Sequence, residues 1–338
     1  MRYGIWNNKG GVGKTFLSFI LGTEYAQTCS DKSVILVDMC PQANLSEIVL
    51  GGNGKGGDAL AKILGQGNGR KTIGGYLDLR IESPHQITGS ETEFLLHLKD
   101  YNPELPENLY LICGDPSLEI QAQVISQIGG QMLPADAWKN VRNWLNDLLK
   151  ACSRKLGHDR TTTIIDCNPS FSAYTELAMV ASDRLIIPCS SDGSSARAID
   201  NVAALLYGFN VPDVYKTVNF SAKTRNFGLV LPLVHAVILN RSTQYNKKAS
   251  QAFGAMFEAI KRNVLSFKEK DPSRFVNGEA EFGEIPDSHS VSIVCSHHGK
   301  PLYNVAPGRY PVHDTMPQVN PEPLERYKQA VEKLLSTL

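Results

Sequence analysis

The chain has 338 residues, 42% of them hydrophobic and 20% charged, with 34 basic and 34 acidic side chains. This composition supports a large core and excludes wholesale disorder, while a formal net charge of zero gives no global sign of a nucleic-acid partner. Seven cysteines stand singly with no C-x-x-C pair, and the N-terminus lacks the apolar run of a secretory signal, so we expect reduced thiols in a cytoplasmic protein rather than a disulfide framework.

In chain order, apolar β-type runs are predicted at Tyr3–Trp6, Val34–Val37, Leu109–Cys113, Thr162–Ile165, Arg184–Pro188 and Leu233–Leu239. Several are apolar throughout, which suits strands covered on both faces, as in a parallel sheet. Helical patterns follow Thr15, run over Ala137–Cys152, Ala173–Ala181, Ala196–Tyr207 and Lys247–Leu265, and close the chain at Leu324–Leu338. The alternation implies a doubly wound, mostly parallel α/β fold with helices on both faces. Residues 51–75 are glycine-rich and read as a mobile loop with one short helix. The longest apolar run, residues 229–239, is interrupted by Pro232 and His235 and is too short to cross a bilayer. The expected organisation is one domain over residues 1–338, with a glycine-rich insertion near 51–75 and a peripheral insertion near 76–135.

Charge is unevenly spread. Residues 215–275 carry eleven Lys/Arg against three Asp/Glu, and residues 76–119 carry nine acids against two bases. Two solvated surfaces would explain this, and so would two different partner faces.

Between the first strand and the first long helix lies IWNNKGGVGKTF. Glycines there let successive backbone N–H groups turn toward an anion, and the helix N-terminus adds its dipole. Lys14 is placed to reach terminal phosphates and the Thr15 hydroxyl to hold Mg²⁺. A strict G-x-x-x-x-G-K-[ST] needs glycine at position 8, where this chain has Asn8, and the G-x-G-x-x-G pattern is absent. KGGVGKT carries an additional lysine, Lys9. It resembles the deviant Walker A loop of the ParA/MinD ATPase superfamily, also called SIMIBI-class, and within it most nearly the ParA-like partition ATPases.

The resemblance implies a P-loop NTPase fold, ATP and Mg²⁺ as ligands, and an ATP-dependent homodimer in which Lys9 reaches the partner's nucleotide. It assigns nucleotide contacts to Lys9, Gly10, Gly11, Val12, Gly13, Lys14, Thr15 and Phe16. Further along, DCNPSFS (166–172) is similar to the family's Walker B segment, which gives Asp166 a metal role through water; Asn168 stands where one proline is customary. Asn240 in VILNR matches an adenine-contacting asparagine. Pro286 and Asp287 in GEIPDS match the segment that flanks the base. LYLICGDPSLE, DRLIIPCSSDGSSARAI and GKPL fall in the family's order as well.

VILVDMCPQANLS (34–46) is similar to the switch that follows the second strand in ParA-like proteins, usually Asp-x-Asp-Pro. Asp38 and Pro41 are retained, and Cys40 replaces the acid generally assigned to the attacking water. Asp38 remains a candidate for both metal and catalytic roles, with Lys9 and Lys14. A thiol is a weak hydrogen-bond partner and is mostly protonated at neutral pH. General-base positioning contributes about 10²–10⁴-fold in rate, so slow or partner-dependent hydrolysis is expected.

Three uses of the switch are considered. The first is non-specific DNA binding that positions or segregates a plasmid, chromosome region or other cargo in the cytoplasm or on the nucleoid, with a ParB-like or other adaptor. Its DNA contacts would be Lys223, Arg225, Arg241, Lys247, Lys248, Lys261 and Arg262. The second is a MinD-like or cellulose-secretion-associated scaffold at a membrane or protein partner; the sequence holds no integral membrane segment, but its last helix is amphipathic. The third is a metal-cluster or arsenite-type carrier, which would require paired cysteines that the spacing does not supply.

Overall fold

The computed structural model describes residues 1–190, 194–242, 244–245, 248–249 and 251–338. The first half runs β1 (Arg2–Ile5), α1 (Lys14–Thr28), β2 (Ser33–Met39), α2 (Asn44–Val49), α3 (Lys55–Leu64), α4 (Ile73–Glu82), β3 (Leu96–His97), β4 (Leu109–Ile112), α5 (Leu118–Gly129), α6 (Ala137–Arg142) and α7 (Trp144–Leu156). The second half runs β5 (Thr161–Cys167), α8 (Ala173–Ala181), β6 (Arg184–Cys189), α9 (Ser195–Tyr207), α10 (Phe220–Asn226) and β7 (Leu233–Ser242), then the pair β8 (Gln244–Tyr245) and β9 (Lys248–Ala249). It continues with α11 (Gln251–Lys270), β10 (Glu281–Pro286), α12 (His289–His298), the short strands β11 (Gly308–Arg309) and β12 (Gln318–Val319), and α13 (Pro321–Leu335).

Eight strands form one sheet in the order β10-β7-β6-β1-β5-β2-β4-β3, parallel except for the β3 edge. All six predicted strands are present. Their unbroken apolar character has a direct cause: alternate residues serve two cores. Ile35, Val37, Ile165, Leu185 and Ile187 pack under α4 to α9 and α11, whereas Val34, Leu36, Ile164 and Ile186 pack under α1, α2, α12 and α13. Burying both faces explains why no polar–apolar alternation appears.

Several elements differ from the sequence expectation. Residues 51–75 hold the ten-residue helix α3, and α4 starts at Ile73 with Thr72 accepting a hydrogen bond from the Gly75 N–H. Two of the glycines here, Gly52 and Gly56, serve close approach between backbones. A Cβ on Gly52 would lie 2.3 Å from the His297 carbonyl oxygen, and one on Gly56 would lie 2.0 Å from that of Glu47. The Ala137–Cys152 pattern is two helices that meet at Asn143. The last helix begins earlier, at Pro321, whose missing N–H costs nothing in a first turn. β10 and α12 lay outside the predicted elements, because EFGEIP carries two glutamates and a glycine that mask an edge strand. Within residues 76–135, β4 runs inside the main sheet beside β2.

Candidate functional site at the carboxyl ends of the strands

Residues 6–13 leave the carboxyl end of β1 and turn into α1. Gly11 and Gly13 have φ of 75° and 81°, a left-handed conformation that side chains oppose, and no atom lies within 4 Å of a Cβ built on Gly10 or Gly11. The loop is held from below. Asn7, fully buried, donates its amide to the Pro188 carbonyl (2.8 Å) and accepts the Lys9 N–H (3.0 Å). Asn240, at the end of β7, donates to the Val12 carbonyl (2.9 Å). Lys14 opens α1, is buried, and folds its ammonium onto the carbonyls of Asn7 (3.1 Å) and Lys9 (2.8 Å). Burial lowers its pKa, and Asp166 opposes that shift. A cleft of about 430 Å³ opens here, lined by Gly10, Gly11, Gly13, Lys14, Thr15 and Phe16 on one side and by Cys40, Asn44, Cys167 and Pro169 on the other.

Two buried carboxylates stand behind the cleft without lining it. Asp38 on β2 and Asp166 on β5 are register partners on adjacent parallel strands, and both are buried. Asp166 interacts with the Thr15 and Ser18 hydroxyls, Ser18 at 3.4 Å from Oδ1, while its Oδ2 is buried without a hydrogen-bond partner. Burial first, and then Asp38, holds the Asp166 carboxyl above the usual range; burial does the same to Asp38. A buried acid pair with one orphaned oxygen, beside a hydroxyl and a lysine, is suited to a cation that brings most of its own ligands. Mg²⁺ is commonly held by one or two carboxylates plus waters and substrate phosphates. Among the described residues no group of three or more His, Cys, Asp or Glu side chains is placed to hold a metal ion. The residues therefore fit a polyphosphate carrying a divalent cation.

Asp38 is tied into the turn that follows it. Its Oδ1 accepts the Cys40 N–H (3.1 Å), and its Oδ2 accepts the Ser46 N–H (2.9 Å) and hydroxyl (2.8 Å). Ser46 Oγ in turn accepts the Gly114 N–H (2.8 Å). Both Asp38 oxygens are thus committed to holding the turn and the start of α2, and the side chain does not line the cleft. That geometry suits a holding role better than that of a base. Cys40 does line the cleft, but burial and then Asp38 push its thiol up to about 11, so it is neutral and cannot take a proton from water near pH 7. Its sulfur accepts a hydrogen bond from the Asn168 amide at 3.6 Å.

Lys9 turns toward the loop after β6 in its own chain, donating to Ser190 (2.9 Å) and Ser195 (3.4 Å). Pro286 and Asp287 lie at the end of β10 beside β7, the strand that carries Asn240; none of these three lines the phosphate cleft, so the structure brings them to the same edge of the sheet as the loop but not into that cleft. Among the basic candidates, Lys223 and Arg225 are exposed on α10 and Arg262 on α11. Lys261 is half-buried, pairs with Glu258 (2.9 Å) and sits 4.6 Å from the Phe257 ring centre. Arg241, Lys247 and Lys248 lie outside the residues whose side chains the structure describes. Sequence reasoning missed Asn7, Ser18, Ser46 and Gly114. Each supports the site through long-range or backbone hydrogen bonds, which no spacing rule signals.

Residues 3–271 match the family model described as "CobQ/CobB/MinD/ParA nucleotide binding domain". None of the curated proteins compared with the chain is similar to it in sequence. Among solved structures, apo McdA from Cyanothece is 17% identical, with 98% of each chain covered and a TM-score of 0.57. A variant of Cyanothece McdA in complex with ATP is 16% identical over 98% of this chain and 96% of that one, with a TM-score of 0.57. A putative plasmid partition protein from Borrelia burgdorferi B31, bound to AMPPNP, is 18% identical over 100% and 99%, with a TM-score of 0.56. At these identities the likeness is one of fold.

Proposed function

The chain belongs to the CobQ/CobB/MinD/ParA nucleotide-binding family, and from that premise we propose that it is a ParA-like ATPase with slow intrinsic turnover, organised as one domain over residues 1–338. The observation that carries the reading is the cleft at the strand ends, lined by Lys14 and Thr15 of an open glycine loop, with the buried, orphaned Asp166 oxygen lying behind the Thr15 hydroxyl. ATP is favoured because two of the similar structures hold ATP or AMPPNP.

In this reading the N–H groups of residues 10–15 cradle the phosphates, and Lys14 exchanges its carbonyl partners for phosphate oxygens. Thr15 and Asp166 would hold Mg²⁺, with Asp38 behind them fixing the switch turn, and the metal would neutralise charge on the phosphates. Asn240, Pro286 and Asp287 border the base. Lys9 leaves Ser190 and Ser195 and reaches the nucleotide of a second copy, which makes dimerisation ATP-dependent. Cys40 supplies neither charge nor a proton acceptor, so hydrolysis lacks its usual orienting acid and acts as a slow timer.

The dimer would bind DNA non-specifically through its basic surface, with Lys223, Arg225 and Arg262 exposed and Lys261 beside them, and so position a plasmid, chromosome region or other cargo with a ParB-like or other adaptor. A membrane scaffold is less well supported. The apolar face of α13 (Leu324, Tyr327, Val331, Leu334) is buried in the core, leaving none to enter a bilayer. Among the described residues no helix is long and apolar enough to cross one. Gel filtration with ATP and Mg²⁺, with and without duplex DNA, tests the reading: a dimer that co-elutes with DNA only when ATP is present supports it, and a monomer indifferent to ATP refutes it.

A further inference from the structure

The two places where this chain departs from the ParA pattern, Cys40 and Asn168, touch each other although they are 128 residues apart. Asn168 is a junction. Its amide donates to Cys40 Sγ (3.6 Å), its Oδ1 accepts both the N–H and the hydroxyl of Ser170 (2.9 Å each), and its backbone carbonyl accepts the indole N–H of Trp6 (3.0 Å), the residue from which the phosphate loop departs. One side chain therefore ties the turn after β2 to the turn after β5, and its backbone ties both to the loop after β1.

From Ser170 the hydrogen bonds continue outward. Ser170 Oγ lies 3.2 Å from the hydroxyl of Tyr174, a buried side chain on α8, and that hydroxyl lies 3.4 Å from Oε1 of Glu119. Glu119 is exposed in the first turn of α5. The proton inventory along this chain is restrictive. Ser170 spends its single hydroxyl proton on Asn168 Oδ1, so it can only accept from Tyr174. Tyr174 also has one proton, shared between Ser170 and the Glu119 carboxylate. A proton turned toward Ser170 polarises that hydroxyl, strengthens its bond to Asn168, and makes the Asn168 amide a better donor to Cys40. A proton turned toward Glu119 does the reverse.

We propose that Asn168 is the positioning residue of the switch turn, and that Glu119 on the surface of α5 biases it through Tyr174 and Ser170. The relay gives the cleft a surface port: a group that engages the Glu119 carboxylate, such as a cationic side chain of a partner, frees the Tyr174 proton for Ser170 and tightens the turn. This deepens the nucleotide-switch reading of the same cleft but does not require ATP to be tested.

The test is hydrogen–deuterium exchange of the switch-turn peptide, residues 39–46, in the full-length nucleotide-free protein. Its protection rests on the N–H groups of Cys40, Ala43 and Ser46, which bond to Asp38 Oδ1, the Cys40 carbonyl and Asp38 Oδ2. Asn168→Ala should speed exchange about two- to tenfold, the range set by loss of one hydrogen bond. Tyr174→Phe should speed it as well, by less. Glu119→Ala, at an exposed position that leaves folding intact, should slow it, and Tyr174→Phe/Glu119→Ala should match Tyr174→Phe alone. Opposite signs for Tyr174→Phe and Glu119→Ala are what simple loosening of the fold does not produce. Shifts in the same direction, or a peptide indifferent to either change, would overturn the proposal. Because no nucleotide is added, that failure stays separate from a failure to bind or hydrolyse ATP.

Discussion

Asp166→Asn should stabilise the nucleotide-free protein at neutral and alkaline pH. Asp166 and Asp38 are buried register partners, and Asp166 Oδ2 has no hydrogen-bond donor. Burial raises both carboxyls, and Asp38 raises that of Asp166 further, so the folded state holds protons that the unfolded chain has released. The stability associated with the pair is therefore full below the ordinary carboxylate pKa of about 4 and declines as pH rises through the raised values toward neutrality. The near-isosteric amide removes the charge and keeps the volume. Leaving a buried polar group unsatisfied costs about 1–3 kcal/mol and a charged one more, and Lys14, Thr15 and Ser18 offset part of that at this site. A net gain near the lower end, about 1–2 kcal/mol, corresponds to roughly 1.5–3 °C in Tm for a chain of 338 residues. Thermal melts without nucleotide from pH 5 to 8.5 read it directly. The variant should melt above wild type at pH 8, with the gap closing toward pH 5, and MgATP should reverse the order by stabilising wild type more. A variant that melts lower at pH 8, or a gap independent of pH, would refute the view that the acid pair is electrostatically poised for a cation.

Two further outcomes follow from the geometry. Gly299 has a φ of 61°, and a Cβ there would lie 2.6 Å from the Ile48 carbonyl oxygen and 2.8 Å from the Gly52 nitrogen. Gly299→Ala should lower the urea midpoint by the equivalent of about 1–3 kcal/mol, and an unchanged midpoint would mean that the end of α12 does not approach the α2 backbone this closely. Lys223→Ala/Arg225→Ala/Arg262→Ala should weaken ATP-dependent DNA retention similarly for all sequences, and should flatten the plot of log affinity against log salt by about one unit per lost phosphate contact. Retention with an unaltered salt slope would remove α10 and α11 from the DNA surface.

The layered sheet was legible because each central strand is buried on both faces, so Val34–Val37 and Thr162–Ile165 stand out as apolar runs. The phosphate loop was legible because its chemistry is local: glycines, a lysine and a helix start within seven residues. Long-range partners were not. Nothing near Asn168 in sequence announces Cys40, and nothing near Asp38 announces that Ser46 will claim its Oδ2 or that Gly114 will donate to Ser46 in turn. The glycines of 51–75 misled for a related reason. Composition alone cannot separate a glycine that permits motion from one, like Gly52 or Gly56, that permits contact between backbones. The edge strand β10 was hidden by Glu281, Glu284 and Gly283, since an edge tolerates charge that a central strand does not.

The central claim is that the chain binds ATP in a cleft whose chemistry is slowed by a neutral thiol where an acid is usual. Single-turnover release of phosphate from MgATP, compared between wild type and Cys40→Asp in the absence of any partner, tests it most directly. The account predicts slow release from wild type and acceleration by Cys40→Asp of up to about 10²–10⁴-fold, the span that a positioned base contributes. Rapid release from wild type alone, or a Cys40→Asp protein that binds ATP and is no faster, would contradict it.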